Sequence, residues 1–205
     1  MALYPSKTPV FVEADEELAD ALRARLRQQG HSDELVRTAD ANSPGLIGEI
    51  RERCAGSLAL TFVDFLGMEV TFDTLRRLTQ SHRMDLLLTL QVNDLTRNAP
   101  LVLNGEQDSR RWDAFFGTSA WRDAVRRFQS GETGAPDLAT TLTDFYCNRL
   151  GTLGYDYVAP LQRLMRNTIN APLYRLILAG KHPRAAEFFQ KISRIEDDGQ
   201  RGLPL

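Results

Sequence analysis

The chain has 205 residues, two cysteines and a formal charge of −2 at pH 7. That length suits one domain with a single buried core that needs neither disulfides nor metal, and the near-balanced charge excludes bulk attraction to nucleic acid or to an anionic membrane. Cys54 and Cys147 stand far apart in no ligand-like spacing, so they read as buried, reduced thiols of a cytoplasmic protein, with no metal site expected. The opening MALYPSKTP lacks the charged start and apolar core of a signal peptide. No apolar run approaches the roughly 20 residues of a membrane span, and a soluble, intracellular protein with no membrane partner is the expectation.

Residues 9–13 are β-branched and aromatic, and the acidic stretch after them carries Leu18, Leu22 and Leu26 at helical spacing, so a strand is followed by a helix. Asp15 is placed to cap that helix, with Gly30 just past its last turn. A weaker strand follows over 34–38, then Ser43 and Pro44 as cap and first residue of a helix whose buried face is Leu46, Ile47, Ile50 and Cys54. The run SLALTFVD lacks period-two alternation and reads as a strand over 58–64 covered on both faces, as in parallel sheets. Thr71 caps a helix carrying Leu75 and Leu78, and MDLLLTLQV forms another continuous buried strand over 84–92. Strands alternating with helices and joined by short connections imply a parallel sheet wrapped by helices.

The rhythm then breaks. Residues 99–154 hold no strand pattern; Trp112, Phe115, Phe116, Trp121, Val125 and Phe128 follow helical spacing, and Pro136 opens a further helix reaching Leu150. Segments near 155–163 and 172–180 read as an antiparallel pair closing the sheet, followed by a helix with Pro183 first. One domain spans residues 1–198, with a helical insertion at about 99–154 and a frayed tail at 199–205.

Glu13, Asp40 and Asp64 stand at the ends of three successive predicted strands. In open α/β sheets that edge is where ligands bind. A carboxylate there can accept both hydroxyls of a ribose, a second can accept the exocyclic amine of a purine, and a third can face the reacting group. The competing reading of each acid is a helix cap or a solvated turn. The three acids and the closing hairpin together are similar to the layout of folds that bind S-adenosylmethionine. The arginines Arg110, Arg111, Arg126 and Arg127 beside Trp112 and Trp121 offer a different reading, a basic aromatic face for single-stranded nucleic acid. At helical spacing, however, the rings are expected to pack inward.

The blocks FVEADEELADALRARL, LTFVDFLGMEVTFDTL, MDLLLTLQVNDLTRN and YRLILAGKHPRAAEFF together resemble the three-Cys-motif partner proteins, a bacterial family. The resemblance implies an α/β, Rossmann-like (class I methyltransferase-like) fold: a mostly parallel sheet with a C-terminal antiparallel hairpin and a helical insertion. Glu13 resembles the family's strand-end acid, Asp64 to Gly67 its Asp-Pro-Phe-Gly-like loop, Asn93 to Asn98 its Asn-Arg-Asn-like element, and Leu176 to Pro183 its closing strand and His-Pro turn. By that likeness Glu13 and Asp40 would bind S-adenosylmethionine, Asp64 and Asn93 would lie at the methyl acceptor as catalytic residues, and a second protein bearing a three-cysteine motif would be the partner. Two departures favour an alternative, a non-catalytic partner-binding module. The loop after Asp64 reads Phe65-Leu66-Gly67 without the proline, and nothing before Tyr4 resembles the family's first strand and Gly-rich turn. In the family's sheet that strand would lie between those ending in Glu13 and Asp64, so without it two inner edges lose their partner.

Overall fold

The computed structural model describes residues 9–65, 67–80, 83–158, 163–166, 168, 172–187 and 189. It is a mixed α/β structure with two sheets, and the chain divides into two compact units, Met1–Ala55 and Gly56–Leu205.

In the first unit, β1 (Phe11–Glu13) and β2 (Val36–Thr38) pair in parallel, with Phe11 opposite Val36 and Glu13 opposite Thr38. The crossover between them is α1 (Glu16–Gln28), capped as expected by Asp15, whose carboxylate accepts the Leu18 N–H at 3.0 Å. This satisfies one of the donors a helix start leaves unpaired. Ala19 is fully buried while Leu18 is 59% exposed, so the apolar spacing overstates that face. Ser43 and Pro44 open α2 (Pro44–Cys54), which buries Leu46 and Ile47 and leaves Ile50 and Cys54 half-buried.

The second unit carries a four-stranded sheet in the order β3-β4-β6-β5, formed by Leu58–Asp64 (β3), Arg83–Leu90 (β4), Arg163–Arg166 (β5) and Pro172–Ala179 (β6). β3 and β4 are parallel, and β6 runs antiparallel to both β4 and β5. The sheet is therefore mixed. Its helices are α3 (Phe72–Thr79), α4 (Val92–Leu103), α5 (Arg110–Phe116), α6 (Trp121–Gln129) and α7 (Leu138–Gly151). Thr71 caps α3 through the Thr74 N–H, and Leu75 and Leu78 are buried.

Four expectations need correction. β3 is not covered on both faces: it lies at the edge of its sheet, and Leu58, Leu60 and Phe62 are exposed. β4 ends at Leu90, and residues 92–103 form α4, whose buried Val92, Leu95, Ala99 and Val102 recur at helical spacing. The apolar run continues through the strand-to-helix junction and hides it. α7 starts after Asp137, whose carboxylate accepts the Thr140 N–H at 2.6 Å, and not at Pro136. The first hairpin strand starts at Arg163, and before it Tyr157 makes an isolated bridge to Gly180. Residues 159–162 and the tail 199–205 lie outside the described residues. Helix resumes at Pro183, as the sequence predicts.

The core of the second unit joins one sheet face to an aromatic cluster. Leu86, Leu88 and Ile177 are fully buried from the sheet, and Phe116, Trp121 and Tyr146 from the helices, with Phe115 at 1% exposure. The Phe115 and Tyr146 rings stack with centroids 4.8 Å apart, and Trp112 lies 4.8 Å from Trp121. α5 closes on Gly117 at φ +66°, where a Cβ would come within 2.6 Å of Phe72, so the left-handed residue is also the one that lets the aromatic layer close. Burial pushes the Cys147 thiol up to about 12, and both cysteines are free. Among the described residues no helix is long and apolar enough to cross a membrane.

Candidate functional site

The carboxyl ends of β3 and β4 enclose a small crevice. It is lined by Phe65, Gly67 and Met68 after β3, by Leu90, Gln91, Asp94 and Leu95 at the β4–α4 junction, and by Phe115. Parallel pairing builds it, because two neighbouring strands that run the same way end at the same edge.

Asp64 is the last residue of β3 and sits opposite Thr89 of β4. The Thr89 hydroxyl donates to the Asp64 carboxylate and accepts the Phe65 N–H at 3.2 Å. Thr89 is 5% exposed, whereas Asp64 is exposed. One buried hydroxyl thus ties the acid to the neighbouring strand and aims the chain into the following loop. That loop is strained: Gly67 has φ +91° and Met68, with a side chain, φ +66°. A non-glycine residue in the left-handed region costs roughly 1–2 kcal/mol, and such strain collects where a binding surface is held in a set shape. A Cβ at Gly67 would meet the Arg111 guanidinium at 3.3 Å, and Arg111 pairs with Glu69 at 3.7 Å.

Asn93 lies in the first turn of α4 and is exposed; the crevice is lined instead by its neighbours Gln91 and Asp94. Thr89 escaped the sequence reading, although a lone threonine inside LLLTL is the available signal, since a buried hydroxyl needs a partner.

Glu13 and Asp40 belong to the first unit. Glu13 ends β1 and is half-buried, and its carboxylate accepts the Asp15 N–H at 3.0 Å. Asp40 lies two residues past β2 in a turn, where its carboxylate accepts the Asn42 N–H at 2.8 Å and the Asn42 amide at 3.0 Å. The structure therefore brings both acids to the carboxyl end of one parallel pair, and each also serves the local turn or cap that sequence reasoning weighed against ligand binding.

The two tryptophans offered as a nucleic-acid platform, and the phenylalanines of α5, are turned into the core. Trp112, Phe115, Phe116 and Trp121 are at most 4% exposed, which leaves no ring face for a base. Asp113 organises this region: it accepts the Trp121 indole N–H at 2.8 Å and two bonds from the Arg122 guanidinium, at 2.6 and 3.0 Å. The hydrogen bond from Arg122 holds the Asp113 carboxyl below the ordinary carboxylate range. Of the four arginines considered for nucleic acid, Arg110, Arg111 and Arg126 each face an acid, at Asp108, Glu69 and Asp123. Among the described residues no group of three or more His, Cys, Asp or Glu side chains could hold a metal ion.

No protein-family model, curated protein or solved structure matches this chain.

Proposed function

We propose that this chain is a Rossmann-like, class I methyltransferase-like protein of the three-Cys-motif-partner kind. Its methyl acceptor lies at the carboxyl ends of β3 and β4, with Asp64 beside the crevice there and Asn93 in the first turn of α4. The observation that carries the reading is the order β3-β4-β6-β5 with β6 antiparallel between two parallel neighbours. The resemblance implies an antiparallel hairpin closing the sheet, and the antiparallel β5–β6 pair, which local propensity does not dictate, supports that reading. Two carboxylates at the end of the β1–β2 pair suit a nucleoside, with Glu13 for the ribose hydroxyls and Asp40 for the exocyclic amine. S-adenosylmethionine, when bound, supplies the methyl group; the chain's own residues bind it, orient the acceptor and shield it from water. The loop from Phe65 to Met68 and Gln91 and Asp94 of the α4 start supply that shielding and orientation.

A second reading, a non-catalytic partner module, is favoured by the bonds Glu13 and Asp40 already make to Asp15 and Asn42. A ligand must compete with them.

Calorimetric titration of the whole chain with S-adenosylmethionine tests the reading. Weak binding is expected, because a ligand must displace the bonds that Glu13 and Asp40 make to Asp15 and Asn42. Glu13→Ala removes charge-assisted hydrogen bonds of roughly 1.5–3 kcal/mol each and is expected to weaken binding at least about tenfold. Absence of heat with the unaltered chain rejects the cofactor and leaves the partner module; binding indifferent to Glu13 rejects the assignment of that residue.

A further inference from the structure

Exposure across one face of the second sheet is graded. Leu58, Leu60 and Phe62 of β3 are 82%, 64% and 59% exposed. In the register of the sheet Phe62 lies beside the half-buried Leu87, and Leu87 beside Leu178, which is 7% exposed. The face is covered at its middle and bare at its edge, so what it lacks belongs at the edge. There β3 has β4 as its one strand neighbour among the described residues, and its other side presents backbone donors and acceptors along a seven-residue strand. Proteins guard such edges with lysine, proline, a bulge or an inward charge. LALTFV carries none of them.

The same segment is complementary to itself. Run antiparallel to a second LALTFVD about Thr61, it sets Leu60 against Phe62 of the second copy, and Phe62 against Leu60 of the second copy, both pairs on the bare face. Asp64 then faces Leu58 of the second copy, and in the next strand of that row stands Arg83, which β3–β4 pairing places beside Leu58. Two strand spacings, about 10 Å, separate the backbones of that acid and base, a span an arginine side chain bridges. The twofold axis makes two such pairs and opposes no like charges.

We propose that β3 is a homodimer interface: it pairs antiparallel with β3 of a second copy of this chain, joining two four-stranded sheets into one continuous sheet across a twofold axis. The proposal does not depend on the methyltransferase reading. It adds that Asp64, at the end of β3, stands at the rim of the interface, beside the crevice.

Light scattering on the eluting full chain tests it. The expected mass is twice 23.1 kDa for the unaltered chain and 23.1 kDa for Leu60→Lys, which loses the dimer. Leu18→Lys, at a residue equally exposed on α1, is expected to leave the dimer intact, and circular dichroism verifies that both variants are folded. Asp64→Arg and Arg83→Asp are each expected to raise the dimer dissociation constant several-fold, and the double exchange to restore it; a merely structural role for either residue predicts no such rescue. A monomer at every concentration, a dimer that survives Leu60→Lys, or assembly with a different polypeptide alone overturns the proposal.

Discussion

β3 and β4 lie side by side in register, both drawn mostly from leucine, valine, phenylalanine and threonine, and their fates are opposite. Met84, Leu86, Leu88 and Leu90 of β4 are at most 1% exposed, while three large apolar side chains of β3 stand more than half in water. β4 has a strand on each side and helices on the face carrying these residues; β3 has one strand neighbour among the described residues. Composition made both strands equally able to be buried. The face decided which side chains were: Met84, Leu86 and Leu88 share rows with Ala59, Thr61 and Val63, whereas Leu58, Leu60 and Phe62 lie on the other face, in rows with Arg83, Asp85 and Leu87. What stays bare on β3 is free energy held for an association, since apolar burial gains about 25 cal/mol per Å² wherever the covering surface comes from.

The contrast can be broken most forcefully with two phenylalanines. Phe115→Ala, in the aromatic layer, is expected to cost about 3–5 kcal/mol. Phe62→Ala, measured by denaturant unfolding where the chain is monomeric, is expected to stay within about 0.5 kcal/mol. Similar costs at both sites would mean that the β3 face is covered within the monomer.

A smaller effect sharpens the picture on the β4 side. Tyr155 is 1% exposed and its hydroxyl donates to the Met84 carbonyl of β4 at 2.7 Å, whereas the hydroxyl of the fully buried Tyr146 has no partner among the described residues. Tyr155→Phe is therefore expected to destabilise by about 1 kcal/mol, and Tyr146→Phe to stabilise by a similar amount, because an unmet buried hydroxyl is a cost that the substitution removes. Urea midpoints moving in the same direction would refute the assignment of partners.

The smallest expected effect is a pH dependence in the helices of the same unit. Asp113 has its folded pKa lowered, chiefly by the hydrogen bond from Arg122. Its contribution is thus fully present above the unfolded value of about 3.9 and is lost as pH falls from there through the depressed folded value. The stability difference between the unaltered chain and Asp113→Asn is expected to be largest at neutral pH and to shrink in that acid window. A difference that does not change down to pH 3 would show that the ion pair contributes nothing.

What was legible in the sequence was local. Asp15 and Thr71 cap their helices as their spacing says, since a cap is satisfied within three residues. Trp112, Phe115 and Phe116 face inward because helical spacing records its own buried side. Asp64 ends its strand because the apolar run stops there. What escaped depended on distant residues. Which face of β3 stays bare is set by what packs against its sheet, and the start of α4 is masked by Leu90 and Val92, apolar on both sides of the junction. Asn93 entered through the resemblance alone, and the crevice lining of its neighbours Gln91 and Asp94 follows from where α4 begins. Thr89 matters through its pairing with Asp64, twenty-five residues earlier, a relation that only the register reveals.

The insertion of β6 between β4 and β5 also sets a timetable for synthesis. β4 leaves the ribosome about eighty residues before the strand that will occupy its free side. At about 5–20 residues per second, the nascent sheet waits roughly 4–16 s as a two-stranded apolar ribbon with both edges open. Slowing translation of residues 91–171 lengthens that wait, and soluble yield is expected to fall with it as chains meet edge to edge before their own last strand arrives.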